Sequence, residues 1–305
     1  MTLSADFKEK FGNYLTENVK LSNYSWFNLG GPAQYLFKPE NSKQLIQFLK
    51  ENKTERLKIT ILGAGSNTLI RDNGISGVVI KLSQSFSKIN LVSKDTIEAG
   101  AAALDRKIAN FAIDNEIGDF EFLSCIPGSI GGAVIMNSGC YEQDISKVLI
   151  SIKVIDIYEC KEREIKSEDI KFFYRGTSLS DQFIVTSVKM KGKIRSKENI
   201  EKKQNEFIER KKLSQPSQIK TCGSTFKNLS DKKKAWQLIK ESGCEEFTEG
   251  DAVISKKHCN FFVNNGKARS ADIEKLIEKV KQKVSEKTGV NLELEIKIIG
   301  DSEEI

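Results

Sequence analysis

A chain of 305 residues with 39% hydrophobic and 30% charged side chains has the balance of a soluble globular protein, long enough for two or three domains. No apolar run reaches the roughly eighteen residues of a helical membrane span, and the opening M-T-L-S-A-D-F-K-E-K-F lacks the basic start and apolar stretch of a secretion signal, so a cytoplasmic location is expected. The net charge of +6 comes from dispersed lysines and the six cysteines form no C-x-x-C pair, which argues against a nucleic-acid partner and against a metal site.

In chain order, the residue pattern predicts a helix over 6–16, a loop over 23–31 carrying Trp26 and Phe27, and a strand over 33–37. Asn41 is placed to cap a helix on which Leu45, Ile46 and Leu49 recur at helical spacing; a strand over 59–62 then completes a β-α-β unit. Apolar runs between 77 and 102 read as strands, and 104–117 as an amphipathic helix with Leu104, Ile108, Phe111 and Ala112 on one stripe. Strands are expected over 148–154 and 183–190, with a short aromatic-basic turn over 172–177 between them. The helix expected over 196–213 has few apolar anchors and suits a bridge between domains. The remainder reads as an α+β unit, with helices over 231–241 and 271–287 and strands over 259–263 and 290–299.

Two glycine-bearing loops stand out. In the stretch from Glu121 to Tyr141, Ile126 and Pro127 lead into Gly128, Ser129, Gly131 and Gly132, a turn feeding a short helix over 131–137 whose first amides suit a phosphate or pyrophosphate. A buried glycine turn packed on apolar neighbours would leave the same pattern. Earlier, Gly63, Ala64, Gly65, Ser66 and Asn67 follow an apolar strand; Thr68 stands where a Rossmann fingerprint would place its third glycine, so a different nucleotide fold is expected. The two loops suggest two walls of one cleft around a long phosphate-bearing ligand.

Three further positions bear on chemistry. On a strand over 290–299, Val290, Leu292, Leu294, Ile296 and Ile298 share one face, leaving Glu293 and Glu295 on the other about 6.6 Å apart, either as functional carboxylates or as a solvent-facing row. Ser224, in C-G-S-T-F-K-N, follows Gly223; with His258 the sole histidine, it reads as a turn serine unless another group activates it. Arg175, after Tyr174 in F-F-Y-R-G-T, offers a planar fork to a carboxylate, or pairs with a surface acid.

Taken together, N-L-G-G-P-A from Asn28, L-G-A-G-S-N-T-L-I-R-D from Leu62, the Glu121–Tyr141 stretch, F-Y-R-G-T, C-G-S-T-F-K-N and L-E-L-E-I occur in an order that resembles the UDP-N-acetylenolpyruvoylglucosamine reductase family, in its shorter (type II) branch. The resemblance implies an α+β fold: a two-subdomain FAD-binding module of the PCMH/VAO-like type over 1–82 and 83–213, and a C-terminal α+β substrate-binding domain over 214–305. It implies a non-covalent FAD held by Gly63, Ala64, Gly65, Ser66, Asn67, Ile126, Pro127, Gly128, Ser129, Gly131 and Gly132. NADPH is the implied co-substrate, and the implied reaction reduces UDP-N-acetylglucosamine enolpyruvate to UDP-N-acetylmuramate for peptidoglycan synthesis. Carried over residue by residue, Ser224 is the proton donor, Glu295 the catalytic glutamate and Arg175 the partner of the enolpyruvyl carboxylate, with Tyr174 and Asn228 binding substrate; Lys212 is expected to join them on chemical grounds, as a nearby cation that stabilises the serine's incipient alkoxide. The alternative is an FAD-dependent oxidase of the wider flavin family. Such oxidases often tether flavin through His or Cys, and His258 lies outside both glycine loops.

Overall fold

The computed structural model describes residues 3–230 and 233–302. The chain packs as two units, each assembled from separated stretches: Met1–Thr16, Tyr35–Ala64 and Gly77–Lys211 in the first, Glu17–Gln34, Gly65–Ser76 and Lys212–Ile305 in the second.

The first unit begins with helix Ala5–Phe11, started by the Ser4 hydroxyl accepting from the Phe7 amide. It stops short of the expected 6–16, because Gly12 and Asn13 follow and Leu15–Lys20 is a strand. Phe7 and Phe11 are buried against Phe48, whose ring stacks on Phe37 with centroids 3.8 Å apart. The Asn41 cap forms as its side chain suggests: its carbonyl accepts from Gln44 N at 2.9 Å and helix Ser42–Glu55 follows. A four-stranded sheet runs in the order Leu15–Lys20, Pro32–Phe37, Ile75–Ile80, Ile59–Ile61, its last two strands parallel; helix Ser42–Glu55 connects Pro32–Phe37 to Ile59–Ile61, and Ile75–Ile80 lies between those two strands in the sheet.

A five-stranded sheet supplies the other half of this unit, in the order Lys161–Lys166, Leu149–Asp156, Phe183–Lys191, Thr96–Gly100, Ile89–Ser93, with antiparallel neighbours throughout. Its Ile97, Ile152, Val154, Val188 and Met190 share a core with Ile108 and Ala112 of helix Asp105–Asp114 and with Val134 of the short helix Ile130–Ile135. Leu104 is not on the buried stripe: it precedes the helix and is exposed, and Ala109 and Ile113 complete the face.

Helix Lys197–Ser214 is also not a free bridge over its first part. Ile200 and Phe207 are buried, and its cations fasten onto the glycine-rich stretch: Lys211 Nζ donates to the Cys125 carbonyl at 2.7 Å, Lys203 pairs with Glu121 at 3.4 Å, and the Arg210 guanidinium lies 4.4 Å from the Tyr141 ring centre. A helix of low apolar content can therefore be anchored through its polar face when the partner surface is backbone carbonyl and aromatic ring.

In the second unit, helices Ala235–Glu241 and Ser270–Thr288 pack with a three-stranded antiparallel sheet, Thr248–Glu249, Ala252–Ile254 and Phe262–Asn264. Their core includes Phe226, Leu238, Phe262, Leu276, Val280 and Val284. The expected helix start at Asp231 lies outside the described residues. The single strand expected over 290–299 does not form. Leu294 bridges Phe226, the Glu295 amide turns to the Thr225 carbonyl at 2.8 Å, and only Lys297–Ile299 is a strand, parallel to Thr68–Ile70. The period-two pattern comes from two short extended pieces with different partners, of which Leu292 and Ile296 are the buried members.

Candidate active site

In the first unit, the loop Pro127–Ser129 is stitched to the segment ahead of helix Asp105–Asp114. Leu104 and Ser129 form an antiparallel bridge, Asp105 N donates to the Gly128 carbonyl at 3.1 Å, and Ile130 N and Gly131 N donate to the carbonyls of Ala103 and Ala101 at 2.9 and 3.0 Å. The Gly131 amide is thus spent inside the fold, and a Cβ there would stand 2.8 Å from the Ala101 Cβ. Gly132, one residue on, is exposed, and a Cβ there would meet only the Ser129 hydroxyl at 3.8 Å.

The other glycine loop comes to the same place. Gly63 is exposed, and a Cβ built on it would lie 3.3 Å from Ser129 Oγ, so a side chain at Gly63 would fill the space between the two loops. Lys81 Nζ donates to the Gly63 carbonyl; burial lowers the Lys81 pKa, with the nearby Lys38 charge acting in the same direction. Open backbone on two facing loops, with an ammonium beside one of them, fits the diphosphate of a dinucleotide.

Arg175 sits at the tip of the hairpin formed by Phe172–Phe173 and Gly176–Thr177, in a left-handed conformation with φ of 58°. The hairpin docks on the glycine-rich stretch. Asn137 Nδ2 donates to the Phe173 carbonyl at 3.1 Å, Thr177 Oγ1 to the Ile135 carbonyl at 3.2 Å, and Arg175 Nη2 to the Gly139 carbonyl at 3.0 Å. The guanidinium carbon lies 4.9 Å from the Tyr174 ring centre, and Tyr174 is 51% exposed.

In the second unit the structure brings Asn67, Ser224 and Glu295 together. Asn67 Nδ2 donates to the Glu295 carbonyl at 2.9 Å, Glu295 N donates to the Thr225 carbonyl at 2.8 Å, and Thr225 N donates to the Asn260 carbonyl at 2.7 Å. Asn260 also holds both backbone groups of Phe226 through its side chain, at 2.9 and 2.8 Å. Gly223, with φ of 82°, turns the chain into this segment, and Ser224, half-buried, bridges Phe261. The two acids expected on one strand face are unlike each other. Glu293 is exposed and pairs with Lys227 at 3.6 Å, whereas Glu295 is half-buried.

Other expected positions serve the frame. Gly65 has φ of 69° and a Cβ there would run into the Tyr24 carbonyl; its own carbonyl accepts from Trp26 N at 3.1 Å. The Asn228 side chain accepts from Ala235 N at 3.1 Å at the start of helix Ala235–Glu241, and the Lys212 carbonyl accepts from Lys257 Nζ at 2.6 Å. His258 packs 4.8 Å from Phe261, accepts from Asn260 N at Nδ1, and has its pKa lowered by burial. Arg71 and Asp72, read only as part of a motif, hold helix Ser270–Thr288. The Asp72 carboxylate accepts from Ser270 N and Ala271 N at 3.0 Å each, and Arg71 makes a two-pronged pair with Glu274 at 3.0 and 3.1 Å.

An FAD binding domain matches residues 33–159, and the C-terminal domain of UDP-N-acetylenolpyruvoylglucosamine reductase matches residues 215–299. The UDP-N-acetylenolpyruvoylglucosamine reductase of Pelagibacter ubique is 46% identical over 303 residues, covering 97% of this chain and 100% of its own length. The chain belongs to the UDP-N-acetylenolpyruvoylglucosamine reductase family. A second member of that family, from Gluconobacter oxydans, is 42% identical over 305 residues, spanning 100% of this chain and 98% of its own. The crystal structure of the Thermus caldophilus reductase superposes with a TM-score of 0.81 at 32% identity, covering 93% of this chain and 99% of that one. The fold is accordingly the α+β arrangement of an FAD-binding module with a C-terminal domain that the motifs imply. What motif reading within the family missed is Lys81, Asn137 and Asn260. Each acts on a backbone group distant in sequence, and none carries a local signal.

Proposed function

We propose that this protein is the FAD-dependent reductase that uses NADPH to convert UDP-N-acetylglucosamine enolpyruvate to UDP-N-acetylmuramate. The observation that carries the reading is the presence, in one chain, of an FAD-binding match over 33–159 and a reductase-specific match over 215–299, with full-length relatives bearing that name. These matches favour the reductase over a general flavin oxidase.

FAD, when bound, supplies the hydride chemistry. Gly63, Ala64, Gly65, Ser66 and Asn67 on one loop, and Ile126, Pro127, Gly128, Ser129, Gly131 and Gly132 on the other, are the proposed cofactor segments. Within them Gly63, Ser129 and Gly132 line the open backbone, and Gly65, Asn67 and Gly131 keep the loops in shape. Arg175, permanently charged, holds the enolpyruvyl carboxylate, with Tyr174 beside it. Ser224 gives up its hydroxyl proton to the substrate carbon next to that carboxylate, and Glu295 steadies the charge and the proton around it. Asn228 and Lys212 complete the substrate contacts. One NADPH and one proton are consumed for each double bond reduced.

The three-domain division at 82/83 and 213/214 belongs to the same proposal, supported at its second boundary by the start of the C-terminal family match at residue 215. A cytoplasmic location and the lack of a nucleic-acid partner belong to it as well; among the described residues no helix is long and apolar enough to cross a membrane.

The purified protein should be yellow, release its flavin into the supernatant on acid precipitation, and under anaerobic conditions oxidise more than one equivalent of NADPH per flavin only when the enolpyruvyl substrate is present. A protein that takes up no FAD, or that oxidises NADPH at the same rate without substrate, would overturn the reading.

A further inference from the structure

Cys125 ends the turn Glu121–Cys125 just before Pro127, and Cys140 lies in the short strand Gly139–Cys140 that follows helix Ile130–Ile135. The strand Gly139–Cys140 lies against the turn Glu121–Cys125. Cys140 Sγ also donates to the Phe122 carbonyl at 3.5 Å, Cys125 Sγ lies 3.7 Å from Ser124 Oγ, and Lys211 Nζ is held at the Cys125 carbonyl at 2.7 Å. Arg175 acts on the pair from the hairpin and Lys211 from helix Lys197–Ser214, while Tyr141, stacked under Arg210, adjoins it. None of these sulfurs has a part in the reaction proposed above.

We infer that Cys125 and Cys140 form a peroxide-reactive dithiol that closes to a disulfide beneath the phosphate loop. The argument is one of placement. Cys140 Sγ already donates to a carbonyl of the turn that ends at Cys125, so the two thiols need no long chain movement to join; the ammonium of Lys211 favours a thiolate, and Cys140 is half-buried rather than sealed, so a molecule as small as hydrogen peroxide can reach the pair. The electrostatics of the site agree: the neighbouring Cys140 is the largest cause lowering the Cys125 pKa to about 6, with Ser124 and Lys211 contributing, and the same interaction pushes Cys140 up. Cys160 and Cys222 are buried, and burial pushes the Cys222 thiol up to about 11; Cys244 and Cys259 are buried as well, and burial raises the pKa of both.

The chemistry balances in two steps. A thiolate of the pair attacks the peroxide oxygen, the O–O bond breaks, and after uptake of one proton a sulfenic acid and water result. The second thiol then attacks that sulfur, the S–O bond breaks, and a disulfide and a second water form. The sulfurs are oxidised by two electrons in all and the peroxide is reduced. The crosslink ties the turn Glu121–Cys125 to the segment whose Gly139 carbonyl holds Arg175.

The test uses the full chain, treated with hydrogen peroxide, alkylated and digested with trypsin. No Lys or Arg lies between positions 108 and 147, so both cysteines fall in one peptide ending at Lys147. That peptide should become two hydrogens lighter and resist alkylation at both positions, and dithiothreitol should restore it, while Cys160, Cys222, Cys244 and Cys259 remain alkylatable. In Cys140→Ser the ring cannot close, and Cys125 should instead carry one added oxygen that dimedone traps; Lys211→Met should slow the loss of both thiols. Full alkylation of Cys125 and Cys140 after another thiol has been consumed, or separate adducts on each with no ring closure in the unaltered chain, would overturn the inference. The readout is a mass and does not depend on the enzyme's turnover, so its failure is distinct from failure of the proposed function.

Discussion

The side-chain amide of Asn67 donates to the backbone carbonyl of Glu295 at 2.9 Å, and the amide of Lys297 returns a bond of the same length to the Asn67 carbonyl. A residue of the first glycine loop therefore sets where the proposed catalytic glutamate stands. Asn67→Ala should lower stability by about 1 kcal/mol, the typical net value of one such bond, and slow substrate reduction. Asn67→Asp should be worse on both counts, because a carboxylate oxygen would face the Glu295 carbonyl. Denaturant titration and stopped-flow traces check it; equal behaviour of the two variants would show that the contact is not made.

Substrate reduction needs a proton and a partner for growing negative charge, and NADPH oxidation needs neither. Ser224→Ala should leave anaerobic bleaching of the flavin absorbance by NADPH nearly intact and slow reoxidation by the enolpyruvyl substrate at least about a hundredfold, the low end for losing a positioned acid. Arg175→Ala and Glu295→Gln should show the same one-sided loss, and Arg175→Ala should also weaken substrate binding. Equal slowing of both half-reactions would assign these residues to the cofactor site instead.

Adjacent glycines in helix Ile130–Ile135 should behave differently. A methyl at Gly131 meets the Ala101 Cβ at 2.8 Å and its carbonyl at 3.1 Å, so Gly131→Ala should cost about 1–3 kcal/mol of stability, the usual range for overpacking. Gly132 faces open space, so Gly132→Leu should keep the melting temperature of the FAD-free protein and lose FAD affinity. Thermal melts and FAD titration of both variants decide the point, and a reversed pattern would mean that Gly131 is the residue facing the ligand.

Asp105 is fully buried and neither carboxylate oxygen has a hydrogen-bond partner among the described residues; burial raises its pKa well above the ordinary value. An acid whose folded-state pKa is raised is best tolerated below the unfolded value, and the protein loses about 1.4 kcal/mol per pH unit as pH rises from about 4 toward the folded value. Asp105→Asn removes that slope. Its stability advantage over the parent should grow from acidic to neutral pH in denaturant titrations, and a pH-independent difference would count against a buried carboxyl.

Much of the fold was legible from short-range patterns. The Asn41 cap, the hairpin at Phe172–Thr177, the long helix ending at Thr288 and the order of the motifs all depend on residues within a few positions of one another, and cap chemistry, helical spacing and turn residues act at that range. The family was legible for the same reason, since its motifs are contiguous. The extended run ending at Ile299 misled, because alternation records which side chains are buried and carries no information about which backbone partner each piece finds. Val290–Ile299 divides its bonds between the 225–227 segment and Thr68–Ile70.

Only the tertiary structure decided what each glycine and each charge is for. Gly131 answers to Ala101, Gly65 to the Tyr24 carbonyl, and Gly63 faces Ser129 across open space, although all three look alike in a glycine-rich string. Arg71 and Asp72 turn out to hold a helix about two hundred positions away, and Lys203, Arg210 and Lys211 fasten a polar helix to carbonyls and rings. Whether a missing Cβ makes room for a ligand or for neighbouring backbone depends on what the fold brings within about 4 Å, the range of van der Waals contact, and that neighbour is set by long-range packing that no local spacing encodes.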